Sequence, residues 1–205
     1  KNWIGKSKGA TILFEMDGFD NRIEVFTTRP DTIFGVNFLV LSPGHKMLDK
    51  IITEDQQEKA QKYIARCRNK SERQRQSNKE ISGVFTGSYA IHPFTLDKIE
   101  VWISDYVLES YGTGAIMAVP CGDQRDWDFA THFGINIVNV FEGTDIRNGA
   151  YQERDVKIQN SDFLDNLFVD EAIDRSIEKI ELKNIGKSKI NYRLRDAVFS
   201  RQRYW

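Results

Sequence analysis

Hydroxyls, a guanidinium and carboxylates gather in two short blocks of this chain. The first is Thr27-Thr28-Arg29-Pro30-Asp31-Thr32-Ile33-Phe34-Gly35. The second is Gly112-Thr113-Gly114-Ala115-Ile116-Met117-Ala118-Val119-Pro120, running into Asp123-Gln124-Arg125-Asp126. Each block admits a structural and a functional reading. Structurally, Thr27 and Thr28 end a strand, Arg29-Pro30-Asp31 turns the chain, and Thr32 or Asp31 caps the next element. Functionally, hydroxyls clustered at a strand end line a small pocket, holding a water or a ribose hydroxyl while a threonine methyl limits the room. In the second block, Gly112 and Gly114 supply backbone freedom before a strand, and Pro120-Cys121-Gly122 turns the chain after it. Asp123 then N-caps a helix, with Asp126 at N3 favoured by the helix dipole. The functional reading makes Asp126 an anion facing a pocket, placed to bind an ammonium through a charge-assisted hydrogen bond. Both readings hold together, because a capped helix N-terminus is a rigid place to mount a binding group.

Other chemistry is weaker in the sequence. Cys121 follows a proline at a strand-to-helix turn, reminiscent of a nucleophile elbow, but no base stands at motif spacing. Tyr111, beside two glycines, is a candidate stacking platform. His45, His92 and His132 are not spaced as ligand pairs, and Cys67 and Cys121 are too far apart to read as a zinc site or disulfide framework, so no metal is expected. Two isolated thiols fit a reducing compartment, and a cytoplasmic protein is expected. Ile4-Gly5-Lys6-Ser7-Lys8 recurs as Ile185-Gly186-Lys187-Ser188-Lys189, yet the earlier glycine of a phosphate-binding loop is missing, with Glu181 in its place in the second copy.

These groups must be positioned by a chain of 205 residues, long enough to bury a core. Hydrophobic residues at 40% and charged residues at 29% are the balance of a soluble globular protein, and no apolar run approaches the roughly 20 residues that span a bilayer. A net charge of −1 argues against a broad duplex binder but permits a pocket for the end of one strand. Arg66, Arg68, Lys70, Arg73, Arg75 and Lys79 form a local basic run, either a solvated helix end or loop or an RNA contact.

Ala10–Phe14 and Arg22–Thr28 read as strands joined by a turn at Asp17-Gly18-Phe19-Asp20, with a third short strand over Asn37–Leu41. Thr53 and Gln56 form a capping-box pattern before a helix burying Ala60, Tyr63, Ile64 and Cys67. Val84–Ile91, Ile99–Ser104, Ala115–Val119 and Ile135–Phe141 carry strand-forming residues. Helices are expected over Asp123–Phe133, ended by Gly134, and over Glu171–Lys183. Many short strands and few helices predict an α+β domain around a curved or closed sheet.

The two blocks together resemble the editing domain of leucyl-tRNA synthetase, a class I enzyme of bacterial or organellar type. The resemblance covers nearly the whole chain. Asn2-Trp3-Ile4-Gly5-Lys6-Ser7 looks like the entry into the editing insertion. Tyr192-Arg193-Leu194-Arg195-Asp196 and Ser200-Arg201-Gln202-Arg203-Tyr204-Trp205 look like the return into the aminoacylation core, so 1–190 is expected to be the editing domain and 191–205 the start of the return segment. Isoleucyl- and valyl-tRNA synthetases carry a Thr-Pro-Trp-like centre in the first block, and this chain reads Thr-Arg-Pro-Asp-Thr. An editing domain of those enzymes, or a non-catalytic tRNA-binding insertion, are the alternatives. In one respect the chain departs from the family: Gly122 stands where a histidine is common.

The resemblance implies a central β-barrel with peripheral helices whose pocket receives the 3′-terminal aminoacyl-adenosine of tRNA(Leu). The implied reaction is hydrolysis of the ester of mischarged tRNA, a deacylase activity within a leucine–tRNA ligase. By carry-over, Asp126 binds the α-amino group, and Thr27 and Thr28 lie against the reactive ester. Arg29 approaches the terminal phosphate or ribose, Tyr111 and Met117 form a wall, and Thr32 with Val119 denies space to leucine. Asp31, Asp123 and Arg125 complete the implied binding set. No cofactor is implied for editing; ATP and magnesium belong to the aminoacylation core. The implied partners are the tRNA and the rest of the synthetase chain, with no membrane.

Overall fold

Strand-forming segments from both ends of the chain meet on one long strand in the computed structural model, which describes residues 4–68, 80–109 and 112–194. β1 (Ile4–Met16) pairs antiparallel with β2 (Arg22–Thr27) across the expected turn. Along its other edge β1 pairs with β7 (Gly186–Leu194), Ile4 opposite Leu194 and Ile12 opposite Gly186. β4 (Val84–Ile91) continues the sheet from the end of β1 and pairs with β5 (Lys98–Ile103), with an irregularity between Phe85 and Tyr89. β3 (Phe38–Leu41) lies parallel to β5 and antiparallel to β6 (Ala115–Ala118), giving the order β2-β1-β4-β5-β3-β6 with β7 on β1. The architecture is therefore mixed α+β.

The expected closed barrel is not formed. Among the described residues no ladder joins the terminal strands β2 and β6, although they lie close together. The Thr113 hydroxyl donates to the Glu24 carbonyl across the opening. Closure would need backbone pairing where Phe26, Ile116 and Met117 instead line a cavity.

All four residues of β3 are buried, as its unbroken apolar run requires for a strand covered on both faces. Leu39 and Leu41 enter the main core with Ile12, Phe14, Ile23 and Val101. Phe38 and Val40 point the other way, toward Phe129 and Ala130 of α3 (Gln124–Phe133), and the Phe38 and Phe129 rings stack at 5.2 Å. That contact sets α3 against the sheet beside β6.

A single turn, α1 (Leu48–Ile51), precedes α2 (Glu54–Arg68), which buries the expected stripe of Ala60, Tyr63, Ile64 and Cys67. The Thr53 hydroxyl is directed at the Thr86 carbonyl of β4, 3.4 Å away, and not into a capping box. α4 (Val169–Leu182) begins two residues before the expected start and packs on a 3-10 helix at Pro30–Gly35. The strand expected over 135–141 is absent apart from an isolated bridge from Phe141 to Ile158. Side-chain amides take its backbone donors: Asn139 Oδ1 accepts from Phe141 N–H at 3.0 Å and Asn37 Oδ1 from Val138 N–H at 3.5 Å. Conversely, β7 was not expected. Lys70, Arg73, Arg75 and Lys79 of the basic run lie outside the described residues, as does the return segment from Arg195 onward. Among the described residues no helix is long and apolar enough to cross a membrane.

Candidate functional site

Where β2 ends, the first block folds back on itself. Thr27 Oγ1 accepts the Arg29 N–H at 3.0 Å, and Pro30 opens the 3-10 helix. The Thr32 hydroxyl donates to the Arg29 carbonyl at 2.8 Å, leaving its methyl as the apolar part of the side chain. Arg29 Nε and Nη2 donate to the Asp31 carboxylate at 3.0 and 2.8 Å, and its guanidinium lies 5.7 Å from the centre of the Phe141 ring. Asp31 is wholly buried, so it anchors Arg29 from beneath and is not among the residues on the cavity wall. Gly9 of β1 passes directly under this turn: a β-carbon there would overlap the Thr27 carbonyl oxygen.

The second block behaves as its caps predict. Asp123 has extended dihedrals and its carboxylate accepts the N–H groups of Arg125 (2.8 Å) and Asp126 (3.2 Å), while Gly134 ends α3 at φ +70°. Asp126 sits at N3, 5% exposed. Its Oδ2 accepts the Val119 N–H at 2.8 Å and its Oδ1 the Tyr106 O–H at 2.8 Å. Burial and then the charge of Asp123 push the Asp126 carboxyl up to about 7, against the opposing pull of the two hydrogen bonds and Arg125. Neighbouring Cys121 is fully buried, and burial pushes its thiol up to about 11, so it stays a neutral thiol near pH 7 and is no nucleophile. A β-carbon on Gly122 would stand 3.2 Å from the Phe141 ring, so glycine lets that ring pack against the turn.

One cavity of about 360 Å³ brings the two blocks together. Thr27, Thr28, Arg29 and Thr32 form one side, and Met117, Val119, Asp123, Arg125 and Asp126 the other. Tyr111 lies outside the described residues. Tyr106 lines the cavity and was missed in the sequence, where it stands in no motif; only its bond to Asp126 reveals it. The volume suits a small ligand or the end of a polymer.

Fold and cavity define an α+β domain in which hydroxyls, a guanidinium and a buried carboxylate line one cavity at a sheet opening. Residues 1–181 match the family described as "Leucyl-tRNA synthetase, editing domain". The leucine–tRNA ligase of Christiangramia forsetii is 55% identical over 207 residues, covering 100% of this chain and 22% of that protein. That of Flavobacterium johnsoniae is also 55% identical, over 212 residues and the same shares. A solved structure of Agrobacterium radiobacter K84 agnB2 LeuRS, a ternary complex with tRNA and LeuAMS, superposes with a TM-score of 0.73 at 29% identity, over 95% of this chain and 21% of that one. The chain belongs to the leucyl-tRNA synthetase editing-domain family, which sets aside the isoleucyl and valyl alternatives. It spans about a fifth of the length of the curated relatives it matches.

Proposed function

We propose that this domain hydrolyses the ester of mischarged tRNA(Leu), such as isoleucyl, methionyl or norvalyl esters, and refuses leucine. The observation that carries this reading is the buried Asp126 carboxylate facing the threonine block across one cavity. Each Asp126 oxygen already accepts one hydrogen bond and keeps a lone pair for the substrate α-ammonium. Thr27 and Thr28 flank the ester, and Arg29, aimed by Asp31, meets the terminal ribose or phosphate. Met117 lines the adenosine side, and Asp123 and Arg125 shape the rim. A water adds to the ester carbonyl carbon. The bond to the ribose oxygen breaks and that oxygen takes a proton, giving a free amino acid and an uncharged tRNA. Positioning lowers the barrier, with a neighbouring ribose hydroxyl assisting the water, and no protein nucleophile or cofactor is required. ATP and magnesium remain with the aminoacylation core.

A single hydrophobic pocket separates leucine from close analogues by only about 1–3 kcal/mol, so a second sieve that sterically refuses leucine multiplies fidelity. Thr32 and Val119 form that sieve. The domain works within a longer synthetase chain in the cytoplasm, with 1–190 as the editing unit and 191–205 leading back to the host. The pairing of Ile4 with Leu194 sets the first and last described residues side by side, which supports such an insertion.

The test offers isoleucyl- and leucyl-tRNA(Leu) to the chain. The isoleucyl ester alone is lost, and Asp126→Asn, which keeps the volume but not the charge, abolishes that loss. Binding without turnover would make the domain a tRNA-binding insertion instead. Rates fall as pH drops through about 7, because protonated Asp126 no longer pairs with an ammonium.

A further inference from the structure

Asp126 faces an unfavourable setting for a charge. It is enclosed, and Asp123 repels it from the same helix turn, while Arg125 offsets that charge from the next residue. Across the cavity the Arg29 guanidinium is already engaged by Asp31. Two donors reach the carboxylate, one per oxygen: the backbone amide of Val119 and the hydroxyl of Tyr106. Tyr106 is the only side chain that donates to it among the described residues.

The hydroxyl is held in place from two directions. The Tyr106 ring packs against Phe129 of α3, centroids 5.8 Å apart. The preceding residue is tied to α2, for the Asp105 N–H donates to the Tyr63 hydroxyl at 3.1 Å, and that hydroxyl meets Ser82 at 2.9 Å. Burial and the Asp126 charge raise the Tyr106 phenol well above its ordinary range, so it remains a donor throughout the neutral range.

We infer that Tyr106 is a positioning residue for Asp126: its hydroxyl holds the carboxylate as an anion, aimed into the cavity, and so sets the acid limit below which the site no longer takes a cationic amine. That this amine is the substrate α-amino group rests on the function proposed above. The geometry itself does not. A hydrogen bond to the charged form favours that form, and the fixed phenol supplies it before any ligand arrives.

Tyr106→Phe removes the hydroxyl and keeps the ring. With the 205-residue chain carrying ¹³Cγ-labelled aspartate, the Asp126 carboxyl is titrated by NMR in both proteins. The midpoint rises by about one unit in the variant, which cuts the ionised fraction about tenfold at pH values well below both midpoints. An unmoved or lowered midpoint overturns the inference. Deacylation of isoleucyl-tRNA(Leu) is then followed against pH. The variant's deficit is deepest at acid pH and narrows as pH rises; a deficit equal at every pH marks a merely structural role and also overturns it. If the wild-type chain hydrolyses neither ester, the proposed function falls, and the NMR titration still decides the role of Tyr106.

Discussion

At Thr32 a hydroxyl and a methyl share one β-carbon, and the Arg29 carbonyl takes the hydroxyl at 2.8 Å. Serine keeps that bond and removes only the methyl. Thr32→Ser is therefore expected to raise hydrolysis of leucyl-tRNA(Leu) about tenfold or more, the effect of one carbon in a tight pocket, with little change for the isoleucyl ester. Parallel deacylation assays check it, and continued protection of leucine would remove Thr32 from the sieve. The two aspartates of the second block divide their work in a similar way. Asp123 satisfies two N–H groups at the start of α3, and Asp126, three residues on, is turned inward where its charge is costly. Local capping and a buried carboxylate on the cavity wall thus share one helical turn.

The 3-10 helix at Pro30–Gly35 has no side-chain cap of its own, and its support comes from elsewhere. His92, at the end of β4, accepts the N–H groups of Phe94 and Thr95 on Nδ1 at 3.2 and 3.0 Å. The proton therefore sits on Nε2, which donates to the Ile33 carbonyl at 2.9 Å, directly after Thr32. Burial lowers the His92 pKa and keeps the ring neutral. Phe34 adds a second tie, packing on Phe94 and Phe163 at 5.6 and 5.5 Å. Asparagine at 92 replaces the Nδ1 end only, whereas glutamine reaches the Nε2 position. His92→Asn should lose about 1–3 kcal/mol of stability and weaken amide-exchange protection at Thr32 and Val36, while His92→Gln retains more of both. Equal protection in the two variants would show that the Ile33 bond does not hold the turn.

Across the whole molecule, β1 is shared by partners from both halves of the chain, β2 along one edge and β4 and β7 along the other. Its pairing with β7 brings Ile4 beside Leu194, and at Gly186 the two strands and α4 approach closely. A β-carbon there would overlap the Thr11 carbonyl oxygen and stand 2.8 Å from Ile180 Cγ2 of α4. Gly186→Ala is expected to destabilise the fold by about 1–3 kcal/mol, seen as a lower urea midpoint. An unchanged midpoint would mean that β7 adjusts freely. The opposite side of the sheet stays open between β2 and β6, and that opening holds the cavity. A fully paired barrel would have filled the same space with backbone.

The sequence by itself determined the features whose causes lie within a few residues of one another. The buried stripe of α2, the Asp123 and Gly134 caps of α3, and the turn that gathers Thr27, Arg29 and Thr32 all follow from periodicity and short-range hydrogen bonding. The residues named from the two blocks line one cavity, except Asp31, which is buried beneath it, and Tyr111, which lies outside the described residues. Tertiary structure alone decided the rest. β7 carries little apolar alternation and exists because β1 offers it an unpaired edge, whereas the apolar segment 135–141 finds side-chain amides in place of a ladder. The sheet stays open where side chains occupy its seam. Tyr106 meets Asp126 across 20 positions and His92 meets Ile33 across 59, and no local pattern encodes either bond. Desolvation and long-range pairing depend on which distant groups the fold brings together, so the chemical state of the site emerges only once the chain is packed.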